Sequence, residues 1–371
     1  MTAIGLVAAL ALPAAPQQPP PAPPPVVRRK PPERFVALEL LSAIPSRLGE
    51  ELGEPDVVVR VPASDSDAAL ERQAAGWLEE LFAPLNSPSC RPVARAAGLP
   101  DPGGMARKLA RLWPAGRPIA AAPGGEPVLI RRTYPPPSAT DLEMLRTTGI
   151  LPVELALAGE WARAVGARHA GPPPADPLLR HARAARLEGV ARVAGILVAL
   201  ASAGLDASAV GQALLDADRD RAGWVKDRLY AGTDQPVYRA MLRVLLEDGP
   251  RWAAYHAVRA GTAGLVAALE RPGIGPHVLL RPGLPPPRSE APDGACRLGP
   301  RPTVALVGLP DDSPWVGALR DEWIEVSGTG SLEAVLAFDG EASATRAAAD
   351  LSARGCRATA AGRRVTASCR P

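Results

Sequence analysis

The sequence predicts an α+β protein that is mostly α: a central antiparallel helical domain, then a small C-terminal ferredoxin-like β-α-β-β-α-β domain with an extra terminal hairpin strand. Three observations predict it. Between Thr140 and Pro272, apolar residues recur at helical spacing in segments that carry their own start and stop residues. From Thr303 onward, short β-branched runs alternate with helical patterns. The stretch from Cys356 to Cys369 places Gly362-Arg363 between two alternating segments, as a two-residue hairpin requires.

Before the helical domain lies a mixed α/β region, 34–139. Glu33 to Leu52 reads as helical with a break at Pro45, and Val57 to Val61 is β-branched and reads as a strand. Ser64 to Asp67 supply capping residues for a helix that carries Leu70, Ala74, Trp77, Leu78 and Leu81 on one face. Helical patterns recur over Arg91–Ala97 and Met105–Trp113. Pro123-Gly124-Gly125 divides Ile119-Ala-Ala from Val128-Leu-Ile as a hairpin turn would.

The helical domain, 140–272, opens on the capping box Thr140-x-x-Glu143. Asp176-Pro177 gives an N-cap with proline at the first helical position, heading an apolar-rich stretch that runs to Ala203 and stops at Gly204. Asp206 starts another helix. Val237–Glu247 and Arg251–Glu270 follow, ending at Pro272-Gly273. Residues 281–302, rich in proline and glycine, read as a linker. The last unit, 303–371, is read as strand Thr303–Leu309, helix Ser313–Glu322, strands Trp323–Ser327 and Leu332–Phe338, helix Glu341–Arg354 and the terminal hairpin.

Aromatic residues make up only 4% of the chain and alanine supplies much of its apolar content, so each residue buries little area. Stability must then come from many close helix contacts. The net charge is +3, but lysine occurs only at Lys30, Lys108 and Lys226. The arginine excess reads as compositional bias. Acidic and basic residues are interspersed, with no long basic stripe or stacking aromatics, so nucleic acid is not an expected partner.

Ile4 to Leu12 form an apolar run followed by Pro13-Ala14-Ala15, the length of a signal-peptide core and too short for a transmembrane span. Residues 1–15 are therefore expected to direct export to a periplasmic or extracellular location, and 16–33 to form a Pro-rich disordered linker. The hairpin register agrees with an oxidising compartment. With the turn at Gly362-Arg363, Ala361 faces Arg364, Ala360 faces Val365, Ala358 faces Ala367 and Cys356 faces Cys369. The two cysteines then share an apolar face at a non-hydrogen-bonded pair, where Cβ atoms come closest, and a Cys356–Cys369 disulfide is expected. Cys90 and Cys296 have no local geometry that pairs them.

Motifs for chemistry fall short of their requirements. Asp216-Ala-Asp218-Arg-Asp220 begins like a calcium loop, but Arg221 and Asp227 stand where glycine and glutamate are needed. His169, His181, His256 and His277 are far apart in sequence; His256, beside Trp252 and Tyr255, reads as a helix-face histidine. Ser327-Gly-Thr-Gly-Ser331 lacks the lysine of a P-loop and reads as a β-turn. Pro272-Gly-Ile-Gly-Pro lacks the third glycine of a dinucleotide fingerprint, and Asp311-Asp312 read as residues serving a helix N-terminus. Arg354, Arg357, Arg363, Arg364 and Arg370 alternate with an apolar face and read as the wet side of a sheet.

No catalytic residue, cofactor or metal ligand is assigned from the sequence, and the only site residues are the disulfide pair Cys356 and Cys369. The expected function is that of a non-catalytic exported envelope or secreted protein that binds another macromolecule. Two alternatives are an exported hydrolase whose active site is assembled from distant residues, and a cytoplasmic regulator with a disordered N-terminal tail.

Overall fold

The computed structural model describes residues 68–112, 152–202, 229–285, 289–310, 312–313 and 316–370, with five short strands at 35–36, 59–60, 119–121, 128–130 and 133–134. The signal-like segment, the Pro-rich stretch, the Thr140 capping box, the Asp206 helix start and the Asp216–Asp220 motif lie outside the described residues.

Strand β1 (Phe35–Val36) pairs antiparallel with β5 (Thr133–Tyr134). The first two apolar residues of the stretch expected to be helical are therefore extended. Strand β2 (Val59–Arg60) runs parallel to β4 (Val128–Ile130), which also pairs antiparallel with β3 (Ile119–Ala121) in the order β2-β4-β3. Helix α1 (Ala68–Leu81) buries Leu70, Ala74, Trp77, Leu78 and Leu81, the face its spacing predicts. Short helices α2 (Ala83–Asn86), α3 (Arg91–Ala96) and α4 (Pro102–Ala110) follow; Asp101 caps α4 through the amide of Gly104 at 2.6 Å.

The central layer is built from α5 (Pro152–His169), α6 (Pro177–Ser202), α7 (Pro236–Arg243) and α8 (Gly249–Leu269). Asp176 caps α6 through the amides of Leu178 at 2.7 Å and Leu179 at 3.1 Å. A π-helical turn, Val244–Asp248, joins α7 to α8, and Ala260–Gly261 break α8, Gly261 taking φ +61°. Helix α9 (Pro276–Leu280) ends this layer. Among the described residues, no helix is long and apolar enough to cross a membrane.

Small side chains let these helices approach to backbone contact. A Cβ added at Gly249 would lie 2.0 Å from the carbonyl oxygen of Ala185, and one at Gly189 would lie 2.2 Å from that of Gly249. The sparse aromatic content thus has its counterpart in close Ala/Gly crossings. Gly249→Ala should lower stability by about 3 kcal/mol, because backbone cannot move aside as a side-chain tip can. That clash outweighs the gain of roughly 1 kcal/mol in intrinsic helix propensity. Urea unfolding reads the difference, and an unchanged or raised midpoint would show that the helices do not cross there.

The C-terminal part departs from the expected order. Helix α10 (Pro300–Leu306) occupies most of the segment read as a first strand. A short apolar run cannot be told from a buried helix by periodicity, and Pro300 at the first helical position supplies the start signal. The segment expected to be the next helix instead holds a single 3-10 turn, Val316–Ala318, and the beginning of β6 (Leu319–Val326). Asp321 and Glu322 disguised the first half of this strand. They look like a solvated helix face, yet both are buried. Its second half, from Trp323, is the strand read over Trp323–Ser327. Strand β7 (Leu332–Phe338), helix α11 (Glu341–Ala353), β8 (Arg357–Ala361) and β9 (Arg364–Cys369) lie as expected. All pairings are antiparallel in the order β6-β7-β9-β8. The ferredoxin-like β-α-β-β-α-β order is not confirmed; the elements run α-β-β-α-β-β. Mostly α with a small antiparallel sheet is what the chain adopts.

Two apolar cores form. One gathers α1 to α4, α7, α10 and the inner face of the sheet, including Trp77, Phe82, Tyr238, Leu336 and Val365. The other lies among α5, α6, α8 and α9 and is rich in alanine, with Trp161 and Trp252 as its large members.

Candidate functional site

Helix α6 concentrates buried polar chemistry, and four of its basic side chains reach backbone carbonyls of neighbouring segments. His181 Nδ1 lies 2.6 Å from the carbonyl of Leu81, the last residue of α1. Arg183 donates to Gly171 O at 2.8 Å, just beyond α5, and Arg186 to Leu269 O at 3.3 Å, the end of α8. Arg192 donates to Leu246 O at 2.8 Å, inside the π-helical turn. A helix end leaves carbonyls without intrahelical partners, and the dipole makes that end negative. The C-terminal carbonyls of α1 and α8 are therefore capped from one central helix, which also reaches a loop carbonyl after α5 and one inside the π-helical turn. Arg186 also lies over the Trp252 ring at 5.8 Å, and burial, with Arg183 next, pushes its pKa down to about 10.

A second chain of charge crosses the same helices. Arg163 of α5 lies 2.9 Å from Glu160 and 2.6 Å from Glu188 of α6, and stacks on Trp77 at 4.8 Å. Arg192 lies 3.6 Å from the other oxygen of Glu188. Burial disfavours the Arg163 charge, but the two carboxylates outweigh it and hold the guanidinium more basic than usual. Arg183 has a single carboxylate partner among the described residues, Glu80 at 3.6 Å; burial lowers its pKa and raises that of Glu80.

His181 is fully buried, and because a carbonyl can only accept, Nδ1 carries the proton. Burial pushes its pKa down to about 4, against an ordinary 6.5. The unfolded chain takes up a proton near pH 6.5 while the folded chain does not. Stability associated with neutral His181 is therefore complete above that pH and is lost as pH falls toward 4. The difference is worth about 3 kcal/mol. Comparing urea midpoints of wild type and His181→Gln between neutral pH and pH near 4 should show a steeper loss in the wild type. Parallel pH profiles would contradict it.

Between the cores and the sheet, α10 is locked by Arg301, whose Nε and Nη2 meet the two Asp248 oxygens at 2.6 and 2.8 Å. Glu322 on β6 accepts from Gly299 N at 2.9 Å and lies 2.7 Å from His277 Nε2. Asp321 accepts from Ser289 Oγ, Glu290 N and Arg297 Nη2. The Pro/Gly-rich stretch before α10 is thus fastened to β6, and Ile324 N donates to Cys296 O at 2.9 Å. Sequence reasoning missed this fastening, since no local pattern ties Ser289 or Arg297 to Asp321.

All four cysteines of the chain stand in pairs at disulfide distance. Cys356 and Cys369 are 4.4 Å apart at Cα, and Cys90 and Cys296 are 4.6 Å apart although 206 positions separate them. The terminal hairpin has the expected register, Ala361 to Arg364 through Arg357 to Ser368. Gly362 takes φ +59°, and no non-glycine residue has positive φ among the described residues, which fits a type II′ turn. Beside Cys296 a shallow depression of about 290 Å³ is lined by Ser89, Val93, Asp293, Ile324 and Glu325.

The other sequence-level candidates fall as follows. His256 is half-buried with its ring 5.0 Å from Trp252 and 5.2 Å from Tyr255, and burial lowers its pKa. His169 pairs with Glu270 at 3.0 Å on the surface. The four histidines are not brought together, and among the described residues no group of three or more metal-ligating side chains is assembled. Ser327–Ser331 forms the β6–β7 turn, with Ser327 N donating to Ser331 O at 2.9 Å. Asp312 is exposed 4.0 Å from Arg243, where no α-helix follows it. Arg354, Arg357, Arg363, Arg364 and Arg370 are all exposed. Compared with known proteins, the chain matches no family model, no curated sequence and no solved structure.

Proposed function

We propose that the chain is an exported, disulfide-stapled, non-catalytic protein that mediates interaction with another macromolecule. The observation that carries this reading is the pairing of all four cysteines, one pair within a hairpin and one across 206 positions. Disulfides persist in oxidising compartments and are rare where thiols are kept reduced. The interior polar groups support the same reading. Arg163, Arg183, Arg186, Arg192 and Arg301 are engaged with carboxylates or backbone carbonyls, as a scaffold requires. On this reading residues 1–15 direct export and 16–33 tether the folded part. Intact-mass measurement of protein from fractionated cells, before and after reduction, tests it. The mature exported chain should gain four protons' mass only on reduction; a full-length cytosolic chain with four free thiols would refute it.

A further inference from the structure

We propose that the outer edge of β8 is a docking site for an acidic, extended peptide segment that joins the sheet as a fifth strand. This deepens the reading of the chain as an interaction protein and rests on it. Strand β8 ends the sheet order, and among the described residues no strand pairs with its outer side. The hydrogen-bond parity says which groups face out. Phe338 N donates to Arg363 O at 2.8 Å, so on β9 residues 363, 365 and 367 bond toward β7 and 364, 366 and 368 toward β8. Their partners on β8 are Ala361, Thr359 and Arg357. The backbone N–H and C=O of Ala358 and Ala360 consequently point away from the sheet, a ready template for strand addition.

The charge around this edge selects the occupant. From Leu351 to Pro371 the chain has five arginines and no aspartate or glutamate. Arg354 donates to Gly308 O and Arg364 pairs with Glu290, whereas the side chains of Arg357, Arg363 and Arg370 make no hydrogen bond or ion pair among the described residues. Arg357 opens the edge strand and Arg363 stands in the turn that closes it, with Ala361, the last strand residue, about 13 Å from Arg357 at roughly 3.3 Å per residue. Glu341 approaches the turn at Gly362 but makes no ion pair with Arg363. A second copy is disfavoured, since two-fold antiparallel pairing about Thr359 would set each Arg357 beside the other copy's Arg363 turn. An acidic strand meets the same edge with complementary charge.

The probe is a fluorescein-labelled Glu-Val-Glu-Val-Glu peptide, titrated by polarisation against the oxidised full chain, with Lys-Val-Lys-Val-Lys as control. The acidic peptide should bind and the basic one should not. Ala360→Pro removes an outward N–H without touching the β8–β9 ladder and should weaken binding by about tenfold or more. Arg357→Glu with Arg363→Glu should do the same and reverse the charge preference. Should Ala360→Pro fail to fold, an acidic peptide N-methylated at alternate residues tests the same hydrogen bonds on wild type. Affinity unmoved by Ala360→Pro or N-methylation overturns the proposal. So does sedimentation showing a dimer abolished by Ala360→Pro, or phosphatidylserine-vesicle binding that only the arginine changes abolish. Failure in exported protein with both cysteine pairs oxidised would refute the edge assignment alone, whereas a cytosolic, reduced chain would refute the underlying reading.

Discussion

Removing the Cys90–Cys296 pair by joint replacement with alanine should lower the stability of the oxidised protein by about 5 kcal/mol. The same replacement of Cys356 and Cys369 should cost about 3 kcal/mol. Both figures follow from loop-closure entropy, which grows with the logarithm of the loop enclosed. One pair spans 206 positions and the other 13. The long-range pair also ties the stretch before α10 to the start of α3, at the residue whose backbone bridges Ile324 of β6. Each double replacement avoids leaving a free thiol in the core, and guanidinium unfolding at neutral pH gives the comparison. The ranking is the sensitive part. A larger loss from the hairpin pair would mean that the Cys90–Cys296 bridge is absent, or that the unfolded chain already holds those regions together.

The hairpin was legible because every determinant is local: the turn residues, the alternation and the cysteine parity sit within one short segment. The buried face of α1 was legible for the same reason. Pairing Cys90 with Cys296 needed tertiary information, since nothing near either residue marks the other. The first half of β6 was hidden by its own chemistry, while its second half, from Trp323, lies where the sequence predicts a strand. Asp321 and Glu322 break the apolar alternation and are tolerated inside only because Arg297, Ser289, Gly299 and His277 come to them from a distant stretch. The arginines of α6 were hidden differently. In a chain whose basic residues are almost all arginine, composition masks the few with a fixed role. A useful signal was available: Arg183, Arg186 and Arg192 lie in a helix that is otherwise nearly all apolar, and a helix packed on most sides must bury its charges. Asp176-Pro177 announced where that helix begins, but nothing announced which carbonyls its arginines would reach.

The charge chain through α5 and α6 should be the most sensitive internal feature after the long-range cysteine pair. Arg163→Met keeps much of the side chain's length and its contact with Trp77 but removes the guanidinium shared by Glu160 and Glu188. Both carboxylates are nearly inaccessible, at 3% and 0% exposure, so water cannot replace the lost partner. Breaking a buried pair by deleting one member typically costs 3–5 kcal/mol, and about 4 kcal/mol is expected here. Arg192 tempers the loss at Glu188, because it lies 3.6 Å from that residue's other oxygen. Removing all three charges together, as Glu160→Gln, Arg163→Met and Glu188→Gln, should cost distinctly less than Arg163→Met alone. The desolvation penalty of the charges disappears along with their attraction. Urea unfolding of the single and triple variants at neutral pH separates the two contributions. A triple variant that is less stable than the single one would mean that each carboxylate contributes through partners other than Arg163, and that the chain does not behave as one coupled unit.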